Sequence, residues 1–348
     1  MKPLRIAVIG LGYWGPNLVR NFVELPQADV KWVCDLDEEK RLSILRRYPS
    51  LRATEDYARI LSDPEVEAVA IATSVGSHYE LAAAALDAGK HVFVEKPLAG
   101  SSEDAQDLIE RAEARGLTLM PGHTFLYSPP VNMVRALIKA GGLGEIFFIS
   151  TSRVNLGLHQ PDVSVIWDLG PHDFAILRYW LGESPSRVSA TARSCVVPGI
   201  PDVAFVTLEF PSGTLAHVEL SWLAPSKLRR TAIVGSERMV VYDDTSAEPV
   251  RLFDSGVTLP DPETFGEYRL SYRTGDILSP RVDAVEPLRL ELADFCNAVQ
   301  RGVPPRSSAE LGLEVVRITE AVDRSLSDRS NLPGVRVETS GRPALAEQ

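Results

Sequence analysis

The sequence predicts an α/β protein in two parts. Residues 1–122 read as a doubly wound parallel sheet, and residues 123–348 as a second α/β domain with an open, mostly antiparallel sheet. Three observations carry this. The apolar run Arg5–Ile9 leads straight into Gly10-Leu-Gly12-Tyr-Trp-Gly15 and then a helical stretch. Strand-like and helix-like segments alternate from there to Pro121, the pattern of βαβ units. Beyond Gly122 the strands follow one another in runs, which a parallel doubly wound sheet does not allow. A length of 348 residues suits two domains.

Within the first part, each glycine of the loop has its own task. Gly10 permits the tight turn, Gly12 lets a pyrophosphate approach the backbone, and Gly15 allows close helix–strand packing. Pro16 suits the first turn of the helix Pro16–Glu24, whose N-terminus offers unpaired N–H groups to phosphates. The strand Val30–Cys34 ends in Asp35, twenty residues beyond Gly15, where an acid accepts ribose hydroxyls. No Arg follows it directly, so NAD is favoured over NADP. Asp37 caps the helix that runs to Arg47. Helix Asp56–Leu61, strand Val66–Ala72, helix His78–Ala88, strand Val92–Glu95, helix Ser102–Arg115 and strand Thr118–Pro121 complete the alternation.

Ligands gather beyond the carboxyl ends of such strands. That rim holds Thr73 and His78 at one strand-to-helix turn and Glu95-Lys96-Pro97 at another. Pro97 pushes Lys96 towards an extended backbone. The candidate cofactor contacts are Gly10, Gly12, Tyr13, Trp14, Gly15, Asp35, Thr73, His78, Glu95, Lys96 and Pro97.

From Gly122 the texture changes. Val131, Val134, Leu137 and Ile138 form the apolar face of a helix, which the glycines at 141, 142 and 144 stop. A long strand, Glu145–Asn155, carries Arg153 and Asn155 at one end of one face. Further strands read at Arg187–Val196, Val203–Phe210, Thr214–Ser221, Arg230–Val234 and Met239–Asp243, with a hairpin loop at Pro211-Ser-Gly213. Helices Pro287–Gln300 and Ala309–Ser327 follow, then a polar, peripheral tail after Pro333.

Between the first two of those strands lies Trp167-Asp-Leu-Gly-Pro-His172-Asp, opening a helix Asp173–Leu181 with Pro171 at or near its first turn. Asp168 and His172 are four apart and share a face if helical. Oxidising an alcohol means removing the hydroxyl proton while hydride leaves the same carbon. An imidazole accepts that proton near neutral pH, an ammonium stabilises the developing alkoxide, and a carboxylate orients either of them. His172, Asp168 and Lys96 are the candidates for these roles. His123, Tyr127, Arg153, Asn155, Trp167 and Arg229 are the candidate substrate contacts.

Composition narrows the class. A formal net charge of −11 argues against a general nucleic-acid surface. Cys34, Cys195 and Cys296 are widely spaced, which indicates neither zinc nor a disulfide framework and points to a reducing cytoplasm. No run reaches the length of a membrane span, and MKPLRIAVIG reads as a strand rather than a signal peptide. No metal constellation, G-x-S-x-G or Walker A motif competes.

With GLGYWG, ATSVGSH, EKP and DLGPH in order, the chain resembles the glucose–fructose oxidoreductase / inositol dehydrogenase / rhizopine-catabolism (Gfo/Idh/MocA) family over about residues 4–327. The resemblance implies a Rossmann domain followed by a domain whose open sheet makes homodimer or homotetramer contacts. It also places the family's lysine on Lys96 and its D-x-x-x-H pair on Asp168 and His172. A finer likeness, in GHTFLYSP and SWLAPSKLRRTAIVGS among others, is to bacterial nucleotide-sugar dehydrogenases of the family. Those enzymes oxidise the C3 hydroxyl of UDP-N-acetylglucosamine to a 3-keto sugar. Were the substrate to carry a diphosphate, as this likeness implies, Arg153, Lys227, Arg229 and Arg230 would be its cationic cluster. Two alternatives stay within reach of the same fold: a ketoreductase of deoxysugar nucleotides or dehydrogenase of free sugars and cyclitols, and a non-catalytic NAD-sensing regulator. The regulator would have no need of Lys96, Asp168 and His172 together.

Overall fold

The apolar run that opens the chain becomes the centre of a parallel sheet. β1 (Leu4–Ile9) pairs with β2 (Ala28–Cys34) on one side and β4 (Ala68–Ile71) on the other. With β3 (Arg52–Thr54), β5 (His91–Glu95) and β6 (Leu119–Gly122) the order is β3-β2-β1-β4-β5-β6. The strand order reverses between β1 and β4, so the ligand crevice opens above their carboxyl ends. The structure, a computed structural model, describes residues 2–157, 159, 163–258 and 271–329.

The helices between these strands start where the side chains make them start. α1 (Gly15–Glu24) has proline in its first turn. Asp37 caps α2 (Glu38–Arg47) by accepting from the N–H groups of Glu39 and Lys40, and Asp56 caps α3 (Tyr57–Leu61) through Ala58. α4 (His78–Asp87) and α5 (Ser102–Arg115) follow, the second stopping at Gly116 in the left-handed region with φ of 64°. The edge strand β3 has only three residues and no apolar run, which is why periodicity does not reveal it.

A long strand, β7 (Ile146–Leu156), is at the centre of the second sheet. Its neighbours are β8 (Arg187–Arg193), β9 (Val203–Glu209), β10 (Leu215–Ser221), β11 (Leu223–Gly235), β12 (Met239–Asp243), β13 (Val250–Thr258) and β14 (Ser271–Leu278). The order is β14-β13-β12-β11-β7-β10-β9-β8, antiparallel throughout except β7 with β10. The hairpin at Pro211–Gly213 joins β9 to β10. Inward residues Ile149, Val218, Leu220 and Ile233 are fully buried and belong to one core with α6 (Pro129–Lys139) and α7 (Val165–Leu181).

α7 corrects the expectation of a helix beginning at Asp173. It starts two turns earlier, at Val165, and carries Pro171 inside it. A proline lacks the N–H that would bond the carbonyl four residues back, here Trp167. The proline reads locally as a helix start, whereas the helix runs through it.

The last helices, α8 (Pro287–Arg301) and α9 (Ala309–Arg329), return to the first sheet. Arg20 of α1 pairs with Glu286 beside α8, and the Ser102 N–H donates to Glu320 of α9 at 2.7 Å. A split at residue 122 therefore separates the sheets but not the helices. The tail after Pro333 lies outside the described residues.

Candidate active site

The glycine loop fits a dinucleotide. Gly10 has φ of +87°, and a Cβ there would meet the Ala72 carbonyl oxygen at 2.6 Å. A Cβ on Gly15 would lie 1.9 Å from the Gly10 carbonyl oxygen, whereas one on Gly12 would meet nothing within 4 Å. Turn, packing and open approach are thus divided among the three glycines as their spacing predicts. Asp35 accepts from the Leu11 N–H at 2.6 Å and from Asp37 N–H at 2.9 Å, so its carboxylate braces the loop. A carboxylate has about four lone-pair sites, which leaves acceptor capacity for ribose hydroxyls. Arg41 comes close, but it donates to the Asp35 and Leu36 carbonyls and pairs with Glu55 rather than standing open to a 2′-phosphate. Tyr13 is exposed, Trp14 half-buried at the start of α1, and the Thr73 side chain lies against Gly10.

At the next strand ends the rim is braced from inside. His78 is buried, with Nδ1 2.9 Å from the Pro97 carbonyl and Nε2 3.2 Å from the Thr73 carbonyl. This corrects its reading as a cofactor contact: it straps two rim loops together from beneath. The Lys96–Pro97 bond it supports is cis.

Lys96 meets α7 there. Its Nζ donates to the Asp168 carbonyl at 2.7 Å and to Asp168 Oδ1 at 3.1 Å. The interior Pro171 falls in this same turn, where it frees the neighbouring Trp167 carbonyl rather than the one Lys96 uses. The indole N–H of Trp222 holds the other carboxylate oxygen, Oδ2, at 3.1 Å. Asp168 therefore orients the lysine. The expected bond to His172 is absent among the described residues: the carboxylate faces Lys96 and Trp222 instead.

His172 packs edge-on against Phe125 at 5.1 Å, with Nδ1 buried and without a partner. Burial pushes its pKa well below the ordinary 6.5, and the charges of Lys96, Arg153 and Arg229 act in the same direction. His123 is buried with both ring nitrogens unpartnered, and burial next to Lys96 pushes it down to about 3. Both imidazoles are neutral at pH 7.

Arg153 and Arg229 are cross-strand neighbours on the inner face, and both guanidiniums lie over Phe125, at 4.5 and 5.5 Å. Each has its own carboxylate. Arg153 is gripped by Asp173 at 2.6 Å with both side chains about 5% exposed, and Arg229 pairs with Asp244 at 3.1 Å. Arg230 points to the opposite, solvent-facing side, as adjacent strand residues must. The four-residue cationic cluster is therefore not formed. Asn155 is half-buried on the same face as Arg153.

Two more expected substrate contacts are engaged elsewhere. Tyr127 is buried, donating to Asp294 at 2.7 Å and accepting from the Ser307 N–H, so it ties α8 to the following turn. Trp167 donates to Asp323 of α9 at 2.7 Å and lines a separate cleft with Ser74, Val75 and Gly100. Sequence reasoning missed Phe125, Asp173 and Trp222. Asp173 stood next to His172, but nothing in the spacing pairs it with Arg153, and Trp222 gave no periodic signal.

Residues 4–123 match the family model described as oxidoreductase family, NAD-binding Rossmann fold, and residues 131–241 match the GFO/IDH/MocA C-terminal domain. The chain belongs to the Gfo/Idh/MocA family. Its first domain is an NAD-binding Rossmann domain. Among its relatives, myo-inositol 2-dehydrogenase of Thermotoga maritima is 27% identical over 343 residues, spanning 94% of this chain and 98% of the relative. GenD2 from gentamicin A biosynthesis, solved in complex with NAD, is 25% identical with a TM-score of 0.80, covering 94% of this chain and 95% of its own. UDP-N-acetylglucosamine 3-dehydrogenase GnnA from Acidithiobacillus ferrooxidans shares the fold, with a TM-score of 0.78 at 24% identity over 94% of this chain and 99% of its own. Among the described residues, no helix is long and apolar enough to cross a membrane.

Proposed function

We propose that this oxidoreductase acts on a secondary hydroxyl of a sugar or cyclitol ring. The observation that carries the reading is Lys96. Asp168 uses two of the three N–H donors of its ammonium, and the third is left for a substrate oxygen beside a neutral His172. NAD, when bound, supplies the hydride acceptor. His172 takes the hydroxyl proton, Lys96 stabilises the oxygen as it becomes anionic, and Asp168 with Trp222 holds the ammonium in place. Run backwards, the same groups reduce a ketone.

The charge pattern supports an uncharged ring at this point. Lys96, Arg153 and Arg229 are each matched by a carboxylate, so the corner presents donors and acceptors together, as polyol hydroxyls require. The full-length likeness to an inositol dehydrogenase agrees. A second reading, oxidation of the C3 hydroxyl of a UDP-N-acetylhexosamine, is favoured by the stretches GHTFLYSP and SWLAPSKLRR. In that case Arg229, one-third exposed, would face the diphosphate.

The test is NADH absorbance with purified protein, NAD and a panel of inositols, free aldoses, UDP-sugars and dTDP-sugars. NADH formed with an inositol or free sugar supports the first reading, and NADH formed only with UDP-sugars replaces it by the second. No turnover in either direction, with the matching ketones and NADH included, would overturn both.

The same reading covers the outer face of the larger sheet with a second copy of the chain. Phe148, Phe205 and Leu215 are about half exposed there, apolar side chains that a symmetric partner would cover. Sedimentation showing only monomer at micromolar concentration counts against this. Cys34, Cys195 and Cys296 are free thiols, in keeping with the reducing cytoplasm we propose for it.

A further inference from the structure

Glu95 precedes Lys96, and the chemistry above makes no use of its carboxyl. Phe93 and Glu95 are two apart on β5 and share a face, while Glu291 and Phe295 are four apart on α8 and share a face. The rings of Phe93 and Phe295 pack edge to face at 5.8 Å. The next step along that seam brings the two glutamates together. Glu291 is fully buried, its Oε2 accepting from the Thr124 hydroxyl at 2.7 Å. Oε1 of Glu291 and Oε1 of Glu95 are both buried without partners. Gly122 makes the room: a Cβ there would lie 3.1 Å from Glu95 Oε2. Among the described residues no donor meets hydrogen-bond geometry at either oxygen, so a charge on either carboxyl is uncompensated there and each is favoured in its protonated form.

The location gives that proton a purpose. In a doubly wound sheet the two halves of a dinucleotide lie on either side of the switch point. The adenosine side is marked here by Asp35 just beyond β2, so the carboxyl end of β5 is on the nicotinamide side. The nicotinamide ring is cationic when oxidised and uncharged when reduced.

We propose that Glu95 gives up a proton when NAD+ binds and keeps it when NADH binds, with Glu291 remaining protonated as the donor that steadies the Glu95 carboxylate. The step is acid–base only. The O–H bond of Glu95 breaks, its proton leaves for solvent, and the electron pair stays on the carboxylate facing the positive ring. Glu291, from the second domain, is then a positioning residue for the charge state of the cofactor site.

The surroundings are consistent with this. Burial pushes Glu95 up to about 7, against the opposing charge of Lys96 next to it in the chain. Burial, followed by the Glu95 charge, pushes Glu291 well above the carboxylate range. The groups facing the pair from other elements are Trp14 of the glycine loop, Thr124 after β6 and Asp294 on α8. His123 and His172 are neutral between pH 6 and 8, so they add no titration in that window.

The experiment measures binding rather than turnover. Titrations of NAD+ and NADH into the full-length protein at pH 6, 7 and 8, each in two buffers of different ionisation enthalpy, give both Kd and protons released. Raising the pH removes the Glu95 proton in advance, so NAD+ should bind about fivefold to tenfold more tightly at pH 8 than at pH 6, as one linked proton requires. NADH should change by less than about twofold on the same linkage. Glu95→Gln should abolish the difference. Glu291→Leu removes the donor and should move the midpoint to higher pH, while Glu291→Gln, which still donates, should not. Equal pH dependence for the two cofactors, or a dependence that survives Glu95→Gln, overturns the proposal. An unmoved midpoint in Glu291→Leu removes Glu291 from it. If the Leu variant does not fold, the wild-type and Glu95→Gln titrations decide alone.

Discussion

The cofactor loop and the substrate corner share one rim of the molecule but are built from different material. Between Gly10 and Gly15 the work is done by backbone: a positive φ, a close approach and an open approach, all within six consecutive residues. The corner around Lys96 is made of side chains brought from β5, the turn after β6, β7, α7 and β11, with each cation matched to a carboxylate. In the backbone site the outcome turns on where an added atom falls, against the Gly10 carbonyl at Gly15 but in open space at Gly12. A charge-matched site tolerates changes of shape better than the loss of one member of a pair, since the partner is then left buried and uncompensated.

The sharpest test of that contrast removes members of the corner and asks whether the loop notices. His172→Ala should lower the single-turnover hydride-transfer rate by about 10²–10⁴, the usual scale for a general base, with NAD binding little changed. Lys96→Ala should cost at least as much. Asp168→Asn should cost less than either, because the amide oxygen still accepts from Lys96. The pH profile follows from the depressed pKa of His172: a base must be deprotonated to act, so activity should hold through pH 6 and fall only well below it. An acid limb at or above pH 6.5, or a His172→Ala rate above about a third of wild type, a loss under roughly 0.7 kcal/mol, would take His172 out of the role of base.

The same contrast explains what could be read before any coordinates. The glycine loop and its flanking strand and helix are contiguous, so sequence spacing carries nearly their whole geometry. Asp37 was legible as a cap for the same reason, whereas Asp56, read as the first residue of its helix, is the cap just before it. The corner is different in kind. Its residue types and the pairing of Lys96 with α7 could be anticipated, but not which oxygen of Asp168 faces what. That depends on Trp222, some fifty residues away and visible to no local pattern. Tyr127, Trp167 and His78 look like site residues in sequence because they lie near the motifs, yet packing turns Tyr127 and His78 inward and ties Trp167 to α9. Strand periodicity did hold the information that Arg229 and Arg230 face opposite ways.

On the backbone side, two glycines three apart should separate stability from binding. Gly15→Ala places a Cβ against the Gly10 carbonyl oxygen, and an overpacked site of this kind costs about 1–3 kcal/mol of stability. Gly12→Ala meets no protein atom within 4 Å and should leave the melting temperature unchanged. Its Cβ enters the space where a pyrophosphate approaches, so NAD binding should weaken about tenfold, or 1.4 kcal/mol. Thermal melts and NAD titrations on the two variants check this. A destabilised Gly12→Ala, or one that binds NAD normally, would mean that the open approach is not where the cofactor lies.

The smallest expected effect comes from β11, where one strand position decides whether an arginine belongs to the corner. Arg229 faces inward, over Phe125 and paired with Asp244. Arg230 is opposite Ser152 in register and exposed on the outer face. Arg229→Ala should lower kcat/KM by about tenfold, equivalent to 1.4 kcal/mol, because the Asp244 carboxylate loses its partner and Phe125 one of its two guanidiniums. Arg229→Lys should recover only part of that, since an ammonium does not stack on a ring as a guanidinium does. Arg230→Ala should stay within about twofold for any substrate, as exposed changes away from a site usually do. Measured with an inositol and with UDP-N-acetylglucosamine, the pair of variants also addresses the two substrate readings. A loss at Arg229 confined to the UDP-sugar would place the diphosphate at that guanidinium. A loss at Arg230 as large as that at Arg229 would mean that the outer face contributes to the site, against the alternation of the strand that separates them.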